Sequence, residues 1–211
     1  TALSVVVLGA AGFDVEDPLD PVVYSTAGIA VYAAAMIAIW AIIVKWRGAT
    51  WQEIGFRPTD SRVLAGMAPL AFVLVIVNAL ILLPISIYFM GEPPANTSPL
   101  ESETLAVADV LLLAVPMVIV APIVEEIIFR GLLFQYLRGA FGTSRRGLVG
   151  AVALSALLFG LLHVVVPPIF VMGVVLAMLT NRFNSIVPGI VLHAVYNGLL
   201  VGSVLLVVVS G

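Results

Sequence analysis

From Val63 to Gly91 the chain carries no Asp, Glu, Lys or Arg. Comparable uncharged runs extend from Val22 to Val44, from Gly147 to Asn181 and from Phe183 to Gly211. A helix needs about 20 apolar residues to cross a hydrocarbon core about 30 Å thick, and several of these runs reach that length. Of the 211 residues, 62% are hydrophobic and 10% are charged, against about 25% charged in a soluble domain. A water-soluble fold would lack polar side chains to cover its surface. The chain therefore reads as all-α: a polytopic transmembrane bundle of about six to eight helices. It forms a single integral-membrane unit over residues 1–211.

Six full hydrophobic helices are expected, at Val22–Lys45, Val63–Met90, Thr104–Arg138, Leu148–Val165, the short Ile169–Thr180, and Ile186–Val209. Before them, Ala2 to Ala11 is too short to span and reads as the tail of a truncated helix. A signal peptide needs a basic start and a small-residue cleavage site, and neither is visible. Cytoplasmic loops of membrane proteins gather Arg and Lys. Lys45, Arg47, Arg57 and Arg62 follow the first full helix, Arg138, Arg145 and Arg146 the third, and Arg182 the fifth. The alternate loops hold Asp14, Glu16, Asp17 and Asp20, then Glu92, Glu101 and Glu103, then Pro167-Pro168. This alternation places the basic loops in the cytoplasm and the C-terminus outside. Trp46, Trp51 and Phe56, flanked by charges, predict a segment lying at the interface. Gly91 to Pro99 reads as an external loop, with a sequon at Asn96-Thr97-Ser98.

The absence of cysteine excludes disulfides, thiol nucleophiles and iron–sulfur clusters. With one lysine and eight arginines in a net charge of −3, no basic stripe exists to track a nucleic-acid backbone.

Ionisable groups within a membrane are costly and mark function by default. Here they fall in three places. Ala121 to Gly131 holds Glu125, Glu126 and Arg130 in an apolar setting. On a helix Glu126 and Arg130 lie one turn apart on one face, while Glu125 points about 100° away. Glu126 thus has a partner for its charge and Glu125 must look elsewhere. Phe159 to His163 and His193 to Asn197 hold the chain's two histidines, both inside hydrophobic segments. At about 1.5 Å per residue, Glu125, His163, His193 and Asn197 all fall within the hydrocarbon thickness, so the four can converge.

These three segments resemble the EExxxR, FxxxH and HxxxN motifs of the CAAX prenyl protease type II family, also called CPBP or Abi. The motifs occur in the same order, at the same spacing and on successive helices. Glu125-Glu126-Ile127-Ile128-Phe129-Arg130-Gly131 includes the common Phe-Arg-Gly ending, and the Trp51–Phe56 stretch is similar to prokaryotic members. The resemblance covers roughly Trp51 to the C-terminus, with the motif-bearing core at about 104–209. It implies an intramembrane endopeptidase in a prokaryotic cell membrane. Glu125 and His163 would activate water, and His193 and Asn197 would hold the oxyanion. Glu126, Arg130 and Phe159 would support them. The residues alone leave either glutamate open as the base. They also leave open a zinc version of the same protease, with Glu125, His163 and His193 as ligands around an open position. The metal-free mechanism, with no cofactor, is the expectation. The implied substrate is a membrane-associated peptide or protein, including C-terminal prenylated CAAX sequences.

Two other classes compete with the enzyme. A catalytically idle scaffold or bacteriocin-immunity protein need not keep both histidines and Asn197. A transporter or proton relay often shows paired inverted repeats, and none is visible. Ser155, two turns before His163, is a weaker nucleophile candidate. Small hydroxyls in membrane helices usually bond backbone or pack. Asn78 reads as interhelical glue, and Gly160, Gly173, Gly189 and Gly198 as points of close helix approach.

Overall fold

Polar side chains set the ends of the helices. Residues 20–91, 105–163 and 166–210 are described by the computed structural model. Among them the chain is helical, with no β-strand. Asp20 accepts hydrogen bonds from Val22 N and Val23 N at 2.8 and 3.3 Å and opens α1 (Pro21–Trp46). Thr50 and Glu53 cap each other at the start of the short α2 (Trp51–Ile54). The Thr50 bonds, the backbone one foremost, hold the Glu53 carboxyl below the ordinary glutamate value. Asp60 caps α3 (Ser61–Phe89) through Arg62 N at 2.7 Å. Asp109 accepts from Ala106 N at 2.9 Å at the head of α4 (Val107–Phe141). Ser144 caps α5 (Arg145–Leu161), and α6 (Val166–Phe183) and α7 (Val187–Ser210) follow. Each cap satisfies amide hydrogens that the helix itself leaves without partners.

The helices agree with the expected ones within a few residues, with one correction. Pro167-Pro168, read as a loop, lies in the first turn of α6. Proline is tolerated there because its missing N–H would have had no helical partner. Residues 1–19 and 92–104, with the sequon and every acidic residue of those two loops except Asp20, lie outside the described residues.

Helices α1, α3, α4 and α7 are long and apolar enough to cross a membrane. Helices α5 and α6 have 17 and 18 residues, about 26 Å of rise. These two are the shortest of the six, and α6 runs beyond the expected Ile169–Thr180 at both ends. Ile37, Phe72, Leu80, Tyr88 and Phe89 present open apolar surface. Together with the span lengths, that surface makes this an integral membrane protein.

Lipid is as apolar as leucine, so contacts between spans depend on close fit. A Cβ on Gly173 of α6 would come within 2.9 Å of Ala156 Cα on α5. Between α3 and α7, Met67 and Ala71 pack with Leu192 and Tyr196, and Asn78 donates to the Tyr196 hydroxyl at 2.6 Å. Asn78 is thus the interhelical tie expected of it. Gly198 is not a close approach: a Cβ there would meet Val118 at 3.6 Å, an ordinary contact.

Three of the basic segments gather at one end of the bundle. Ile186 N donates to Gly55 O at 2.9 Å. Ser185 Oγ donates to Arg57 O at 2.8 Å, Arg57 Nη1 to Asn184 O at 3.1 Å, and Gln135 Nε2 to Ile54 O at 2.9 Å. Ile54 is buried among Ile39, Ile127 and Ile186. Helix α2 can lie so close to α4 only because residue 131 is glycine. A Cβ there would stand 2.8 Å from Ile54 O, nearer than real Cβ atoms approach. We expect Gly131→Ala to destabilise the protein by about 1–3 kcal/mol, the usual range for overpacking. Thermal unfolding in detergent would measure it. A midpoint equal to wild type would mean that α2 moves aside at no cost.

Candidate active site

Helix α4 widens to π-helical turns over Val115–Val120 and Ile127–Phe134, on either side of Ala121–Glu126. Such turns recur at functional sites. Between and within them stand the charged groups. Arg130 Nη1 donates to Glu126 Oε1 at 3.0 Å, both side chains being wholly buried. Arg130 Nη2 donates to Gly173 O at 3.2 Å, and the guanidinium carbon lies 4.2 Å from the centre of the Phe159 ring. The face shared by Glu126 and Arg130 is the one helical spacing assigns. Glu126 Oε2 is buried without a hydrogen-bond partner among the described residues. It rests against Gly189 of α7, where a Cβ would come within 2.9 Å of it. The glycine on α7 is thus what lets the carboxylate fit.

His193, also on α7, reaches both glutamates. Its Nδ1 lies 3.3 Å from Glu126 Oε1 and its Nε2 lies 3.9 Å from Glu125 Oε2. A carboxylate oxygen accepts, so the Nδ1 contact is a donated N–H. Glu125 Oε1 accepts from the hydroxyl of Tyr32 on α1. The Glu125 side chain keeps 9% of its surface accessible, whereas Glu126 and Arg130 keep none. Glu126 is therefore built into the scaffold, and Glu125 is the carboxylate with an open side.

His163 closes α5. Its Nδ1 lies 2.8 Å from Phe159 O. A carbonyl can only accept, which puts the hydrogen on Nδ1 and leaves Nε2 a lone pair in the neutral ring. The imidazole packs on Phe159 at 4.8 Å between centroids, and Phe159 meets His193 at 5.9 Å. Phe159 thus sits among Arg130, His163 and His193, which gives it a physical role as their common wall. Asn197, one turn beyond His193, donates from Nδ2 to Met117 O at 2.8 Å. That bond uses one of its two amide hydrogens.

The sequence-derived residues thus come together around α4. Glu125, Glu126, Arg130, Phe159 and His193 form one cluster. His163 joins through Phe159, and Asn197 lies alongside against the Met117 carbonyl. Ser155 is buried and donates to Phe129 O at 3.2 Å, a tie between helices. Among the described residues, no three His, Cys, Asp or Glu side chains are grouped so as to hold a metal ion.

Sequence reading missed Tyr32. A signal was present, because tyrosines in membrane helices favour the two interfaces, whereas Tyr32 lies near the middle of α1.

Residues 107–199 match a family described as Type II CAAX prenyl endopeptidase Rce1-like. No curated protein and no solved structure matches the chain.

Proposed function

We propose, for a chain whose residues 107–199 match the Type II CAAX prenyl endopeptidase Rce1-like family, that it is an intramembrane protease working by glutamate-activated water. The observation that carries the reading is the contrast between the two adjacent carboxylates. Glu126 is locked by Arg130, His193 and Gly189 with no accessible side-chain surface, while the Glu125 side chain keeps 9% of its surface and turns Oε2 toward His193.

In this mechanism Glu125 Oε2 takes a proton from water as the water oxygen attacks the scissile carbonyl carbon. His163, with its free Nε2, holds and orients that water. The carbonyl oxygen becomes an oxyanion. His193 Nε2 and the second Asn197 amide hydrogen donate to it. Since His193 Nδ1 already donates to Glu126, a donor at Nε2 requires the doubly protonated ring. With that ring charged, two carboxylates face one guanidinium and one imidazolium, and the cluster is neutral overall. Collapse of the tetrahedral intermediate breaks the C–N bond. The proton taken from water passes from Glu125 to the leaving nitrogen, giving a free amine and a new carboxyl terminus.

The substrate in this reading is a peptide or protein held at the membrane, with prenylated CAAX C-termini as the first class to test. The basic loops face the cytoplasm of a prokaryotic cell, supported by their gathering at one end of the bundle, and the C-terminus lies on the opposite side. The test is cleavage of a quenched fluorescent farnesylated CAAX peptide by purified protein, with and without a strong chelator. Cleavage that survives the chelator is expected. Loss with the chelator and recovery with zinc would replace this mechanism by the metal-dependent one. An intact protein that cleaves neither this peptide nor other membrane-anchored peptides would be a scaffold.

A further inference from the structure

We infer that Tyr32 is a positioning residue for Glu125, contributed by a helix outside the segment that matches the family. The inference rests on the reading of Glu125 as the base. Helix α1 packs on α4 along one face. Tyr32 lies with Ala121 and Val124 in a buried cluster, and Ser25 Oγ donates to Leu112 O at 3.4 Å. Tyr32 has no accessible surface. A buried phenol needs a partner for its hydroxyl, and many partners would serve that need. Here the partner is Glu125 Oε1.

That choice has a geometric consequence. A glutamate side chain on an open wall of a cavity turns freely about its last bond. With Oε1 held by the phenol, the carboxylate plane is fixed. Oε2 is then left as the oxygen facing His193. Glu126 needs no such help, because Arg130 and Gly189 already fix it. The phenol thus does for Glu125, from a neighbouring helix, what the guanidinium does for Glu126 within α4.

The test uses full-length protein in detergent, with Tyr32→Phe, Glu125→Gln and the double variant. Phenylalanine keeps the ring and its packing and removes only the hydroxyl. The Glu125 carboxyl band is identified by infrared difference between wild type and Glu125→Gln. We expect Tyr32→Phe to displace that band. On the farnesylated peptide, Tyr32→Phe is expected to lower kcat about 10- to 100-fold, the scale of a misplaced reacting group, with KM little changed. Adding Tyr32→Phe to Glu125→Gln is expected to lower kcat no further, because the positioning effect on turnover passes through that carboxylate. A purely structural role would lower the thermal midpoint without this kcat-against-KM split. An unmoved infrared band overturns the inference whether or not the peptide is cleaved. Wild-type kcat in Tyr32→Phe beside an inactive Glu125→Gln overturns the positioning role alone. Full activity in folded Glu125→Gln overturns the base itself, and the positioning role with it.

Discussion

Glu125→Gln is expected to lower peptide cleavage by about 10²- to 10⁴-fold, the contribution usual for a general base, while the protein stays folded. Glutamine keeps the shape and can still accept from the Tyr32 hydroxyl through its carbonyl oxygen. It cannot take a proton from water. The 9% accessible surface of Glu125 means that the change removes no wholly buried charge. The measurement is kcat on the quenched peptide beside a thermal midpoint in the same detergent. Unchanged turnover in a folded variant would rule out Glu125 as the base and move attention to Glu126.

Arg130→Met is expected to have the opposite profile, with stability lost first. The pair of Arg130 and Glu126 has no accessible surface on either side chain. Removing one member of such a pair leaves the other charge without compensation, at about 3–5 kcal/mol. Here Gly173 O would also lose the hydrogen bond from Arg130. A fall of that size consumes a large part of a typical folding free energy. The variant should appear as aggregate on size exclusion, or unfold at a much lower temperature. Combining Arg130→Met with Glu126→Gln removes both charges and should restore part of the loss. If the single variant melts like wild type, the pair contributes no stability and Glu126 is held by His193 instead.

Much of this arrangement is legible in the sequence, because lipid allows few solutions. The uncharged runs give α1, α3 and α7 to within a few residues. The four-residue spacing of Glu126 and Arg130 gives their pairing. The Pro167-Pro168 reading failed because proline marks both loops and first turns, and only tertiary context separates them. Gly198 shows the same limit. A glycine in a membrane helix marks a close approach only if another helix passes there. Tyr32 was hidden for a different reason. Its mid-span position marks it as unusual, but its partner lies 93 residues further along the chain and no spacing connects the two. The four-residue spacing sets His163 beside Phe159, but the approach of His193 to the same ring from α7 was beyond reach of spacing along the chain.

The pairing of Glu126 with Arg130 inside one helix also bears on how the chain enters the membrane. Each charged residue at the centre of a helix raises the cost of insertion by about 2.5–3.5 kcal/mol. A pair one turn apart can share its neutralisation before any other helix arrives, so α4 carries its own counter-ion into the bilayer. Glu125 has no such companion on α4. Its hydrogen-bond donor is on α1, which leaves the ribosome earlier and is already embedded when α4 follows. The order of the helices along the chain therefore offers each carboxylate a partner at the moment it loses water.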